Sequence, residues 1–208
     1  MKIRGDKMIK IGIVTRSSVS FENHKINILY NEIVEAIYNN GGIPIGIVLN
    51  ENYKEVLDMC DGIIFQGGDD FEEYDLKAIK YIYEINKPVF GICLGMQLMG
   101  VYLGGELIEV NNHKKQLSYC HQVKIKQTSK LYNIYKTNII KVNSRHKFVL
   151  KNLKYNVCAI SNDGYIEAIE DTNKIFFIGV QWHPESMLKY DKLQNNLFKY
   201  FVNSCKNI

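Results

Sequence analysis

The chain has 208 residues, 46% of them apolar, and no Pro- or Ser-rich linker, charge block, repeat or low-complexity tract interrupts it, so it reads as one domain spanning 1–208 with a full hydrophobic core. Its 26 basic and 22 acidic residues leave a net charge of only +4, with the lysines scattered, which speaks against a nucleic-acid partner, and no apolar run is long enough for a membrane span. Residues 1–7 are polar and lack the apolar stretch of a secretory signal, which points to a cytoplasmic location with translation starting at Met1 or Met8.

Taken in order, Ile9–Val14 is a β-branched run expected to form the first, central strand. Apolar residues at Ile26, Leu29, Tyr30, Ile33, Val34 and Ile37 then recur at helical spacing and stop at Asn39-Asn40-Gly41-Gly42, predicting a one-faced helix over 25–40. A strand over 43–49, a short helix over 53–60 and a strand at Gly62–Phe65 follow. This βαβαβ alternation predicts a parallel sheet. The third strand runs into Gln66-Gly67-Gly68-Asp69-Asp70, which taken alone is a flexible turn leading into a helix over 73–85.

The strand expected over 88–92 stops at Gly91-Ile92-Cys93-Leu94-Gly95, the pattern of a nucleophile elbow, a tight strand-to-helix corner that needs small residues on either side of the reactive group. The helix expected at Leu94–Tyr102 places the positive end of its dipole beneath the sulfur, as at reactive cysteines. Beside this elbow the Gly67-Gly68 turn acquires a second meaning. Two strands ending at one edge of a parallel sheet bring it next to Cys93, where a backbone N–H could join that of Leu94 in an oxyanion hole. The other cysteines, Cys60, Cys120, Cys158 and Cys205, lack such a setting. Five in all, widely spaced and with no Cys-x-x-Cys pair, they argue against a disulfide framework or a zinc site and are expected to be free thiols.

Beyond Gly104-Gly105 short strands predominate, expected over 106–110, 121–126, 138–142 and 155–160, then a hairpin over 165–170 and 175–180 and a closing amphipathic helix over 192–204. This half is expected to be antiparallel. The fold class is therefore α/β: a doubly wound, mostly parallel central sheet with helices on both faces and additional antiparallel strands in the C-terminal half. The hairpin ends at Gln181-Trp182-His183-Pro184-Glu185. There His183 supplies an imidazole at a strand end and Glu185 a carboxylate to orient it, although a His-Pro pair at such a position is also a common turn. His24 and His113 lie in polar stretches and are expected at the surface, while His121 and His146 stay open.

These residues carry a resemblance. The segment from Gly91 to Gln97, the Gln66-Gly67-Gly68-Asp69 turn and the segment from Gly179 to Glu185 resemble, in order and spacing, the three signature motifs of class I glutamine amidotransferases. His121-Gln122-Val123, Val142-Asn143-Ser144-Arg145-His146 and residues 161–168 resemble the γ-glutamyl hydrolase branch of that superfamily. The resemblance runs over residues 9–188. It implies that Cys93 attacks a γ-amide carbon to give a γ-glutamyl thioester, that His183 is base and acid, and that Glu185 orients His183. It further implies an oxyanion hole from the backbone of Gly68 and Leu94, a glutamyl-binding role for Gln97 and the backbone near Ser144 and Arg145, and no need for a metal or cofactor. Two departures bear on the substrate. Leu94 stands where the hydrolase branch usually has Arg, and the segment after Asp70 is short and lacks the customary proline, so the pocket rim is expected to be reshaped.

Three functions follow as expectations. The first is a stand-alone hydrolase of small γ-glutamyl amides, with a homodimer open as its assembly. The second is a glutaminase subunit passing ammonia to a separate synthetase partner, and the third is a non-catalytic binding module on the same fold. An intact Cys, His and Glu set counts against the third.

Overall fold

The computed structural model describes residues 8–111, 113–115 and 117–207, so the expectation on residues 1–7 lies outside the described residues. The chain begins with β1 (Ile9–Val14), a hairpin of β2 (Arg16–Val19) and β3 (Lys25–Ile28), then α1 (Asn31–Asn39), β4 (Gly42–Ile47), α2 (Tyr53–Asp58), β5 (Gly62–Phe65), α3 (Asp75–Glu84), β6 (Val89–Ile92) and α4 (Leu94–Tyr102). After these come β7 (Glu106–Glu109), β8 (His121–Ile125), α5 (Lys130–Tyr135), β9 (Ile139–Val142), β10 (Phe148–Lys151), β11 (Val157–Ser161), β12 (Ile166–Glu170), β13 (Phe177–Val180), α6 (Pro184–Met187) and α7 (Asn195–Ser204).

One nine-stranded sheet runs in the order β4-β1-β5-β6-β13-β12-β11-β8-β9. From β4 to β13 every pairing is parallel, and from β13 to β9 every pairing is antiparallel. The two halves have the sequence patterns their surroundings demand. Strands β5, β6 and β13 are buried at every residue because helices cover both faces, which is the setting of parallel sheets and the origin of their unbroken apolar runs. Strand β9 alternates exposed and buried residues, as a sheet with one wet face requires. On one face α1, α5 and α7 contribute Ile33, Ile37, Leu131, Phe198 and Phe201 to a core that includes Phe90. On the other, α2, α3 and α4 pack Leu57, Ile79, Ile82 and Met99 beneath Phe65. No helix among the described residues is long and apolar enough to cross a membrane.

The structure corrects the expected helix over 25–40. Its first residues form β3, which pairs Ser18 with Ile26 in an antiparallel hairpin around a turn with Asn23 at φ 61°, a conformation Asn tolerates better than most residues. Gln66 sets the boundary. Its Nε2 donates to the Ile28 carbonyl at 2.8 Å and its Oε1 accepts from the Tyr30 N–H at 3.1 Å, holding this corner extended so that α1 starts at Asn31. Strand β7 also departs from expectation, leaving the large sheet to pair with β10. Helix α5 was not anticipated; Ser129 caps it by accepting from the Tyr132 N–H at 2.9 Å.

Candidate active site

Strand β6 lies between β5 and β13, and its chain turns into α4 at Cys93, which has φ 51° and ψ −101°. Such a backbone is strained for a non-glycine residue, and it is held by the Cys93 N–H, which donates to the Val180 carbonyl at 2.8 Å. Gly95 lets the corner seat. A Cβ there would lie 2.1 Å from the Phe65 carbonyl oxygen, so only glycine allows α4 to rest its first turn on the end of β5. The sulfur does not stand proud of the surface, because Cys93 is only 6% exposed. It forms the floor of a cleft.

His183 follows β13, where Pro184 opens the short helix α6 and puts Glu185 in its first turn. Nδ1 of the ring lies 2.7 Å from Glu185 Oε1. Asn143, just past β9, grips the His183 backbone on both sides: its Oδ1 accepts from the His183 N–H at 2.8 Å and its Nδ2 donates to the His183 carbonyl at 2.9 Å. Burial pulls the imidazole pKa down, but the Glu185 carboxylate and the Cys93 sulfur, each also hydrogen-bonded to the ring, outweigh it and raise the value to about 10. Gly67 lies against both groups. A Cβ on it would be 2.7 Å from His183 Cε1 and 3.7 Å from Cys93 Cβ, so any side chain at this position would displace the ring.

The other residues singled out by sequence fall into two sets. Gly68 borders the cleft between the side chain of Leu94 and the aliphatic part of Arg16. Arg145 lines the cleft and donates from Nη1 to Ser186 Oγ at 3.1 Å. Gln97 also lines it, but its Nε2 is held by the Phe148 carbonyl at 3.0 Å and Gln181 Oε1 at 3.2 Å. Gln181 Nε2 in turn donates to Cys93 Sγ at 3.5 Å, so Gln97 reaches the sulfur through a second amide. Ser144 turns away from the cleft. Its hydroxyl donates to the His113 carbonyl and its own carbonyl accepts from the Lys115 N–H at 2.9 Å.

Two adjoining lobes open over the sulfur. One, of about 360 Å³, is bordered by Asp69, Asp70, Lys114, Arg145 and Lys147, and the other, of about 290 Å³, by Tyr30, Asp69, His183 and Glu185. Both charges therefore occur around one cleft. Sequence reasoning missed Arg16, Tyr30, Asn143 and Gln181. Arg16 is buried and its Nη1 pairs with Asp75 Oδ2 at 2.6 Å, propping the Gly67-Gly68 turn from below. Asn143 and Gln181 stand inside segments that resemble the superfamily's motifs, the one signal that could have drawn attention to them.

A parallel sheet carrying a cysteine elbow, a histidine-carboxylate pair and a glycine turn at one edge is the arrangement of the class I glutamine amidotransferase-like superfamily. The chain belongs to its Peptidase C26 family, whose model matches residues 10–73 and 71–185. The two matched stretches meet at the segment that the sequence shows to be shortened. A Schizosaccharomyces pombe protein provisionally named a glutamine amidotransferase is 32% identical over 91% of this chain and 85% of its own length. CTP synthase of Thermosipho africanus is 29% identical over 94% of this chain, which spans only 45% of that protein. Among solved structures, the glutaminase domain of Trypanosoma brucei CTPS with bound acivicin superposes with a TM-score of 0.72 at 17% identity, covering 96% of this chain and 94% of that one. Family and relatives support an amide-hydrolysing enzyme.

Proposed function

We propose that the protein hydrolyses the γ-glutamyl amide bond of a small γ-glutamyl compound. The observation that carries this reading is the convergence of Cys93, His183 and Glu185 beneath a cleft lined by both acidic and basic side chains. The α-amino acid end of a glutamyl group carries an ammonium and a carboxylate, and Asp69 and Asp70 complement the first as Arg145, Lys114 and Lys147 complement the second. His183, held in its protonated form by Glu185 and the Cys93 sulfur, already carries the proton taken from the thiol when Cys93 Sγ attacks the amide carbon, and the carbonyl oxygen becomes an oxyanion held by the N–H groups of Gly68 and Leu94. Collapse of the tetrahedral species breaks the C–N bond, with His183 returning the proton to the leaving amine. Water, deprotonated by the same imidazole, attacks the γ-glutamyl thioester, and glutamate leaves as the thiol is restored. Glu185 keeps the ring oriented and offsets its positive charge throughout.

A second reading, a glutaminase subunit handing ammonia to a synthetase, is favoured by the likeness to CTP synthases and to the T. brucei glutaminase domain and by Leu94. A glutamate-release assay separates them. The purified protein alone is expected to cleave at least one γ-glutamyl amine or peptide with kcat/KM at least about tenfold, or about 1.4 kcal/mol, above that for glutamine. Hydrolysis of glutamine only, and only after an ATP-dependent synthetase is added, would replace the first reading with the second.

A further inference from the structure

Beside the cleft, four side chains from distant parts of the chain meet in the interior. His121 comes from β8, Glu167 from β12, His146 from the segment after β9, and His113, expected at the surface, is instead buried at 5% exposure. One ligand atom from each of His113, His121 and Glu167 lies within 4.8 Å of the others. His121 Nε2 is 3.1 Å from Glu167 Oε1, and His146 Nε2 approaches the same oxygen at 3.8 Å. Ligands about 2.0–2.1 Å from a tetrahedral zinc ion stand about 3.3 Å apart; the His121–Glu167 separation already matches this, and the other rings would move in around the ion from separations of up to 4.8 Å within the His113, His121 and Glu167 set.

The surroundings of these groups resemble those of metal ligands more than those of a finished hydrogen-bond network. Asp163 Oδ2 holds Nε2 of His113 at 2.8 Å, while Nδ1 of the same ring is buried without a hydrogen-bond partner. His146 Nδ1 donates to the Phe148 carbonyl at 3.0 Å, leaving its Nε2 unpartnered. One ring nitrogen is thus anchored to an oxygen acceptor and the other is open, as at histidines that bind metals. His121 Nε2 and both oxygens of Glu167 are likewise buried without a well-formed hydrogen bond, a costly arrangement if nothing else completes it.

We propose that His113, His121, His146 and Glu167 form a structural site for a divalent transition-metal ion of the zinc type. Imidazole and carboxylate suit such an ion, and four protein ligands close its shell, so it acts as a clasp and not as a reagent. No short-range ligand spacing announces the site, because the contributing positions are 113, 121, 146 and 167. The clasp would join the segment carrying Arg145 to the large sheet, and its existence does not depend on the proposed hydrolase activity.

The test uses the full chain without an affinity tag, with Cys93→Ala as background so that the catalytic thiol cannot bind the ion. After dialysis against a chelator, calorimetric titration with zinc chloride and thermal unfolding with and without zinc are measured. One equivalent per chain, a raised Tm and a visible tetrahedral spectrum with Co(II) are expected. His121→Gln, at a half-buried position, should lose the saturable binding, and Asp163→Asn should weaken it about tenfold to a hundredfold, as loss of an outer-shell partner does. Absence of saturable binding in the parent chain would overturn the site. So would uptake unchanged in both His121→Gln and Asp163→Asn, which marks an adventitious ion, or uptake abolished by His183→Gln, which places the ion at the catalytic imidazole.

Discussion

The two halves of the large sheet use their polar residues in opposite ways. In the parallel half, the residues proposed to carry the chemistry sit where strands end: Gly67 and Gly68 follow β5, Cys93 follows β6 and His183 follows β13, neighbours in the strand order, so three separate connections open onto one edge. In the antiparallel half, polar residues lie along strands and are buried there. Glu167 and Glu170 of β12 are 0% and 6% exposed, and Asn143 beyond β9 is 1% exposed. The first half delivers backbone corners; the second delivers side chains that grip the first. Reactivity is thus expected to fail abruptly when the parallel edge is altered, whereas changes in the antiparallel half should act through position or stability.

The largest expected effect tests that division directly. Cys93→Ala should abolish turnover and, with it, any thioester trapped on the protein by acid quench and mass spectrometry, whereas retained turnover would exclude covalent catalysis. His183→Gln should follow closely, about 10²–10⁴-fold down in kcat, and Glu185→Gln less far, since the histidine remains but is poorly oriented. Asn143→Leu removes both backbone hydrogen bonds to His183 from the antiparallel side. It should cost about 10–100-fold in kcat with little change in KM, and an effect confined to KM would place Asn143 in substrate binding.

Stability sharpens the comparison from the other side. Glu170 accepts from the Lys130 and Leu131 N–H groups at 2.9 and 3.0 Å, capping α5 far from the cleft. Glu170→Gln should cost about 1–2 kcal/mol and lower Tm by a few degrees while leaving kcat unchanged. His183 supplies a pH signature. Because its pKa is raised to about 10 in the fold from about 6.5 when unfolded, its protonated form contributes stability in full below about pH 6.5, and this is lost as pH rises through about 10. The Tm difference between the wild-type protein and His183→Gln should therefore narrow between these limits. A gap that widens with pH would assign the charge in the site differently.

The same contrast accounts for what could be read without coordinates. The parallel half was legible because its strands are unbroken apolar runs closed by Gly-Gly, Gly-x-Cys-x-Gly or His-Pro, so periodicity and turn residues point to the same boundaries. The placement of Gly67 beside Cys93 follows from parallel topology alone, whereas the strand before His183, read as part of an antiparallel half, reaches the same edge because β13 pairs parallel with β6. The hairpin at 16–28 was misread because its limit is imposed by the Gln66 side chain, some forty residues on. His113 was misread for a related reason: its local sequence is polar, but Asp163 and the ring of Tyr165, 5.1 Å away between centroids, draw it inside. Ser144, singled out for the backbone around it, sends its hydroxyl to the carbonyl of His113, a partner its local sequence does not announce. Interactions that depend on distant partners leave no local period.

The seat of Gly95 on the Phe65 carbonyl has a consequence for how the enzyme should lose activity on heating. The Gly67-Gly68 turn grows from the end of β5, and Leu94 opens the helix resting on that same end, so the two groups proposed to hold the oxyanion are referred to a single main-chain contact. Main chain cannot change rotamer. Their separation is therefore insulated from the side-chain loosening that precedes melting, and the proposed activity should follow an ordinary Arrhenius line up to the onset of global unfolding, with no earlier inactivation.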